Sequence, residues 1–221
     1  MRYFKVAVDG LSGSGKTTMA KSAARRLNWF YLETGSFYRA FTLAVLREKI
    51  DYQNFNNLNN LLARTVIDFH WDGREAKVYL NGAEVTGDLR RPEVDRIVSY
   101  LSEIKAVRER MVRWQRKIAE GKNVIGEGRD IGSVLFPDAD LKVFVFCDLR
   151  ERAKRRRKEL AKKGILLPLE EIMENLQERD RIDSWREASP LVRLPSAIYI
   201  DTTHLTIAEE VEIFIDLIKT L

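Results

Sequence analysis

The 221-residue chain is predicted to be an α/β protein with three layers, a central parallel sheet carrying helices on both faces. Three observations carry that prediction. A short apolar run, Phe4-Lys5-Val6-Ala7-Val8, leads into a glycine-rich turn and then into a segment of helical spacing, the order of a βαβ unit. Short β-rich runs alternate with helical segments to the end of the chain. The composition, 45% hydrophobic and 32% charged, suits a globular domain long enough to bury a sizeable core.

The elements follow in order. The first strand begins at the N-terminus, within Met1 to Asp9, which therefore does not read as a signal peptide. Lys16 to Leu27 repeats Met19, Ala20, Ala23, Ala24 and Leu27 at helical spacing. Asn28 to Leu32 is a short aromatic strand, and Gly35 to Arg47 a helix with Tyr38, Phe41, Thr42 and Val45 on one side. Asn54 to Ala63 reads as a helix. Val66 to His70, Lys77 to Leu80 and Ala83 to Val85 are joined by the turn signals Asp72-Gly73 and Asn81-Gly82, which predicts a small antiparallel sheet over about Val66 to Leu89. One long helix is expected from Pro92 to Glu120, with a break near Ser102. Val124 to Gly126 and Lys142 to Cys147 are buried strands, and Arg150 to Lys163 is a basic helix. Leu169 to Asp180 is a helix, Ile198 to Ile200 the last strand, and Ile207 to Lys219 a closing amphipathic helix.

Composition excludes several classes. The 38 basic and 33 acidic residues leave a net charge of +5, too small a surplus to indicate a nucleic-acid partner. A single cysteine, Cys147, rules out an internal disulfide and reads as a buried small hydrophobe. No stretch approaches the roughly 18 apolar residues of a membrane span, so a cytoplasmic protein is expected. His70 and His204 have no partners at ligand spacing and read as surface residues, and Trp29, Trp71 and Trp114 as packing groups.

Chemistry enters at Gly10-Leu11-Ser12-Gly13-Ser14-Gly15-Lys16-Thr17, followed by Thr18, which satisfies G-x-x-x-x-G-K-[ST] in full. Glycines let the backbone wrap a phosphate with its N–H groups pointing inward, and the helix behind offers its positive end to the same anion. Lys16 is expected at the β- and γ-phosphates and the Thr17 hydroxyl at Mg²⁺. A nucleoside triphosphate is the implied ligand. Neither a guanine-reading Asn-Lys-x-Asp nor a strand ending in an acidic pair is present, which speaks against a GTPase or a motor ATPase. Arginine is abundant instead. Arg39, Arg108, Arg129, Arg155, Arg156, Arg157, Arg179, Arg181 and Arg186 lie in segments able to converge on one cleft, as transfer between two phosphorylated ligands requires.

Further motifs resemble the bacterial cytidylate kinases over nearly the whole length. They are Glu33-Thr34-Gly35-Ser36-Phe37-Tyr38-Arg39, then Gly128-Arg129-Asp130-Ile131-Gly132 with Phe136-Pro137-Asp138-Ala139, then Arg179-Asp180-Arg181-Ile182-Asp183-Ser184-Trp185-Arg186 with Ser189-Pro190-Leu191. The resemblance implies a single P-loop kinase domain with its core at 1–33, 92–150 and 186–221, a monophosphate-binding region at 34–91 and a lid at 151–185. It implies a monomer that moves a phosphoryl group from ATP, with Mg²⁺, to CMP or dCMP. Thr34 and Ser99 would face the acceptor, and Arg39 and Arg129 would grip its phosphate. Arg108, Asp130 and Ser99 would read the cytosine and Asp183 the sugar hydroxyls. Arg179 is placed against the acceptor, Arg155 and Arg156 in the lid over the donor, and Arg186 beside the transferring group. Trp185 could cover a ligand. Glu33, Ser36, Lys105-Ala106 and Ser189 depart from the family pattern, none at a group asked to carry charge in the transfer. Kinases for AMP, UMP or shikimate, and a protein that only holds a nucleotide, are the competing readings.

Overall fold

The computed structural model describes residues 2–162 and 164–221, so Met1 and the predicted helix end at Lys163 lie outside the described residues. Five parallel strands form the main sheet: β1 (Lys5–Gly10), β2 (Phe30–Glu33), β6 (Val124–Gly128), β7 (Leu141–Phe146) and β8 (Ile198–Asp201), in the order β2-β6-β1-β7-β8. Buried on both faces, β1 and β6 carry near-continuous apolar runs rather than alternation. The crossover from β1 to β2 leaves a gap that β6 later fills. Connections therefore depart from β1 in both directions, and a crevice opens at the carboxyl ends of the strands.

Helices α1 (Lys16–Leu27), α2 (Gly35–Arg47), α5 (Lys105–Ala119) and α8 (Ile207–Ile218) pack on this sheet or on one another. α8 opens with a capping box, in which Thr206 and Glu209 satisfy each other's backbone donors. Asn28 ends α1 in the left-handed region at φ 54° and delays β2 to Phe30. The weakly patterned segment after it is helix α3 (Phe55–Arg64), started by the Asn54 side chain accepting from the Asn57 N–H at 3.2 Å.

The expected small sheet is present as β3 (Ile67–Trp71), β4 (Ala76–Leu80) and β5 (Ala83–Glu84). The Asn81-Gly82 turn has both φ values positive, 50° and 84°, as a tight hairpin of this kind requires. Its inner face is glued to the core by aromatics. Phe69 stacks on Phe37 of α2 at 5.7 Å and meets Phe30 edge-on at 6.0 Å, while the Trp71 indole donates to the Trp29 carbonyl.

The helix expected over Pro92–Glu120 with a break near Ser102 is two helices, α4 (Pro92–Glu103) and α5, and the break falls at Ile104 (φ −69°, ψ 117°). No proline is needed at Lys105-Ala106 to turn the chain. The break frees the Ser102 carbonyl, which accepts from the Arg108 guanidinium at 2.8 Å. Between β6 and β7 lies an unforeseen π-helical turn, Ile131–Leu135, with the Phe136 N–H reaching the Ile131 carbonyl at 2.7 Å. α6 (Leu149–Ala161) and α7 (Leu169–Trp185) pair over a small apolar core of Ala153, Ile172 and Leu176. α7 runs past Asp180 to Trp185, so Asp183 is helical and Arg186 caps the end.

Phe69→Ala should remove about 3–5 kcal/mol of stability, the usual cost of an emptied aromatic core site, measured by urea unfolding. A loss below about 1 kcal/mol would mean that the small sheet is not anchored through this stack.

Candidate active site

A cleft of about 1130 Å³ opens along the carboxyl edge of the sheet. Its floor is the turn between β1 and α1. Gly10 lies so close to β7 that a Cβ there would come within 2.2 Å of the Val145 carbonyl oxygen. Gly13 and Gly15 have φ of 76° and 93°, conformations that suit glycine, and Gly15 delivers the chain into α1. Gly10 and Leu11 support this floor from below, whereas Ser12, Gly13, Ser14, Gly15, Lys16, Thr17 and Thr18 line the cleft. The Lys16 ammonium donates to the Leu11 carbonyl at 3.0 Å. Burial, with the charge of Arg129, pushes its pKa down to about 7. The Ser14 hydroxyl is buried without a partner among the described residues.

The sequence reading missed the groups that brace this turn. Arg152 of α6 is buried and donates to the Ser12 carbonyl at 3.1 Å, to the Cys147 carbonyl at 2.9 Å and to Asp180 of α7 at 2.6 Å. Asp180 also accepts the Ser12 N–H. Glu127, at the end of β6 between Val8 and Glu33 in register, accepts from the Thr17 hydroxyl at 2.9 Å and the Tyr31 hydroxyl at 3.3 Å. An apolar strand ending in one carboxylate was its signal, overlooked because an acidic pair was sought. Asp9 accepts the N–H groups of Ile131 and Gly132 at 2.7 and 2.8 Å and so fixes the π-helical turn behind Arg129 and Asp130. Burial outweighs those bonds and pushes Asp9 up to about 6. Glu210 of α8, fully buried, pairs with Arg155 at 3.1 Å and keeps one oxygen unpartnered beside Gly15.

On the opposite side, Thr34, Arg39, Ser99, Arg108, Arg129, Asp130, Arg179, Asp183 and Arg186 all line the same cleft, as do Arg155 and Arg156. Arg108 pairs with Asp130 and lies over the Tyr38 ring at 5.3 Å. Arg129 donates to Asp183 at 2.7 Å, and Arg186 reaches Asp183 at 3.3 Å and Asp130 at 3.9 Å. Arg129 and Arg186 hold the Asp183 carboxyl below the usual range although burial works against them. Thr34 sits so near β6 that a Cβ on Gly128 would come within 2.4 Å of its hydroxyl. Arg179 makes no ion pair among the described residues, and its Nε is buried without a partner. Burial, then Arg39 and Arg129, pushes it down to about 10, so it stays cationic at neutral pH and faces other cations.

Two of the nine arginines fall away. Arg181 pairs with Glu178 in solvent, and exposed Arg157 does not line the cleft. Arg156, expected over the donor, lies 3.6 Å from Asp95 of α4, across the cleft from the phosphate turn's own helix, while Arg155 lies against the phosphate turn. Trp185 points into solvent with 83% of its surface exposed and covers nothing. The family departures are absorbed locally. Glu33 reaches Arg90 at 2.6 Å, and the Ser36 hydroxyl donates to the Glu33 carbonyl at 2.6 Å.

The Cytidylate kinase family model matches residues 6–220. A cytidylate kinase of Caldanaerobacter subterraneus subsp. tengcongensis is 46% identical over 208 residues, covering 94% of this chain and 91% of its own. One of Alkaliphilus oremlandii is 43% identical over 219 residues, covering 99% of each. Among solved structures, an uncharacterized protein from Eubacterium ventriosum has a TM-score of 0.55 at 13% identity, covering 99% of both chains. TT1252 from Thermus thermophilus has 0.51 at 14%, covering 100% of this chain and 98% of that one. These two share the fold. The phosphate turn and the facing arginines lie within a sequence match that runs almost end to end, and the chain belongs to the cytidylate kinase family.

Proposed function

We infer that the chain carries out the reaction that names its family, moving the γ-phosphoryl group of ATP to CMP and dCMP in pyrimidine nucleotide metabolism. The observation that carries the reading is the trio Arg39, Arg129 and Arg179, which gathers opposite the phosphate turn, with Arg179 in no ion pair among the described residues. Cations crowded in this way are relieved by a second phosphate.

In the proposed division of labour, the glycine turn and Lys16 hold the β- and γ-phosphates of the donor, while Arg155, beside Gly15, lies in the lid over the donor. Mg²⁺ suits the hard oxygens of Thr17 and Glu127, since this ion is commonly held by one or two side chains plus substrate phosphates. When bound, it supplies charge neutralisation on the β- and γ-phosphates. Arg39, Arg129 and Arg179 grip the acceptor phosphate. Arg108 and Asp130, already paired, offer a donor edge and an acceptor edge to the cytosine ring nitrogen, carbonyl and exocyclic amine. Asp183 has further lone pairs for a sugar hydroxyl beyond its two guanidinium bonds. An acceptor phosphate oxygen then attacks the γ-phosphorus as the bond to the β–γ bridging oxygen breaks, with Arg186 beside the spread charge. The acceptor oxygen is already ionised, so no general base is needed. Regions 34–91 and 151–185 are the proposed closing parts, shutting out water. The proposed setting is a cytoplasmic monomer, in keeping with the lone buried Cys147. Among the described residues, no helix is long and apolar enough to cross a membrane.

An assay of ADP release with Mg·ATP should show turnover with CMP and dCMP and little with UMP, AMP or shikimate. Preference for AMP would overturn the base-reading pair. Arg129→Ala should lower kcat/KM by about 2–4 kcal/mol, roughly thirtyfold to a thousandfold, with Arg129→Lys intermediate. A value near wild type would remove Arg129 from the machinery. The low pKa of Lys16 also has a sign. The empty site loses its charge above about pH 7, and bound phosphates restore it. Donor binding at pH 8 should therefore take up close to one proton, and affinity should fall as pH rises beyond 7. Calorimetry in buffers of different ionisation enthalpy measures the uptake, and identical heats would refute it.

A further inference from the structure

Asp95 lies in the first turn of α4, and an acidic residue there is ordinarily explained by the helix dipole. Its carboxylate has another occupation. One oxygen accepts from Nη2 of Arg39, on α2, at 2.7 Å, and the other lies 3.6 Å from Nη2 of Arg156, on α6. Arg179, on α7, feels the charges of both Arg39 and Asp95. Guanidiniums from two helices thus meet at one carboxylate, with Arg179 lining the same cleft where the reading above puts the acceptor's phosphate. Arg39 is committed on both terminal nitrogens, Nη1 to the Leu89 carbonyl at 2.9 Å and Nη2 to Asp95.

A phosphate dianion gripping Arg39 with two parallel hydrogen bonds needs an edge that Asp95 now occupies. If both anions stayed, they would share one guanidinium in a half-buried site, where like charges are poorly screened. The geometry points to Asp95 as a built-in stand-in for the acceptor's phosphate, a carboxylate that neutralises Arg39 in the empty enzyme and must yield it when CMP binds. The inference rests on the proposed acceptor site. It makes Asp95 a residue that sets acceptor affinity without taking part in the chemistry. The carboxylate so released keeps Arg156 as its remaining partner, which ties occupation of the acceptor site to the position of α6.

Two effects of opposite sign follow from removing the charge. The empty protein loses stability because Arg39 and Arg156 lose the carboxylate between them, yet the acceptor binds more tightly because nothing has to be displaced. A residue serving only the helix dipole, or holding Arg39 in a productive pose, would not give this pair of effects.

The experiment compares wild type with Asp95→Asn and, as a second variant of smaller volume, Asp95→Ser. Kd for CMP and for cytidine is measured by calorimetry without donor, kcat and KM by coupled assay, and Tm by thermal melt. Expected are a CMP Kd and KM lowered by about threefold to tenfold, a kcat within about twofold, a lower Tm for the empty protein and a larger rise in Tm on adding CMP. Cytidine, which lacks the phosphate, should bind all three proteins alike. A CMP KM that is unchanged or raised in both variants overturns the inference, as does a change of equal size for cytidine. Wild-type protein with no CMP-dependent turnover would instead sink the proposed function, a result separate from any comparison among the variants.

Discussion

The arrangement of this cleft is governed by repulsion among its own cations. Eight arginines line one crevice and Arg152 braces it beside the buried Lys16, all but Arg90 buried or half-buried, and a site built to receive two polyanions must stay folded before either arrives. The solution is carboxylates delivered from separate elements: Asp95 to Arg39, Asp130 to Arg108, Asp183 to Arg129 and Arg186, Asp180 to Arg152, and Glu210 to Arg155. A buried ion pair of this kind repays its desolvation poorly, so its value lies less in stability than in holding each guanidinium in place. Arg179 and Lys16 stand outside the scheme, and their charge is the part left for ligands to neutralise.

The backbone supports the same end. Parallel strands β2, β6 and β1 lie side by side and finish together, which places Glu33, Glu127 and the phosphate turn on one edge. Asp9 then reaches from the end of β1 to the π-helical turn after Asp130, so that the glycine turn and the wall carrying Arg129 and Asp130 are joined by two hydrogen bonds. On the other side Arg152 and Asp180 bolt α6 and α7 to the Ser12 peptide. Distances between the two halves of the site are thus set by short, charged links rather than by loops. Such preorganisation suits a reaction in which positioning and electrostatics are most of the catalysis.

Much of this was legible beforehand. The glycine turn, the helical period of α1 and α8 and the Asn-Gly hairpin are local signals whose physical causes act within a few residues. The helix break expected near Ser102 falls at Ile104, where Arg108, six residues on, reaches the freed Ser102 carbonyl. The boundary that failed depends on a distant partner, since α7 runs past Asp180 to carry Asp183 to Arg129. Arg152, Arg155 and Arg156 recur at intervals of three and four on α6, a spacing that shares one helical face, while Arg157 turns away. Counting arginines could not tell these apart. The direction of that face is set by packing against α7.

By itself, the sequence determined the fold class, the phosphate turn and the arginines that face it across the cleft, because motif spacing and hydrophobic period are properties of the chain. The tertiary structure alone decided which carboxylate meets which arginine. Partners such as Thr17 and Glu127, or Arg39 and Asp95, lie far apart along the chain and meet only because parallel strands end at a common edge and three helices turn toward it.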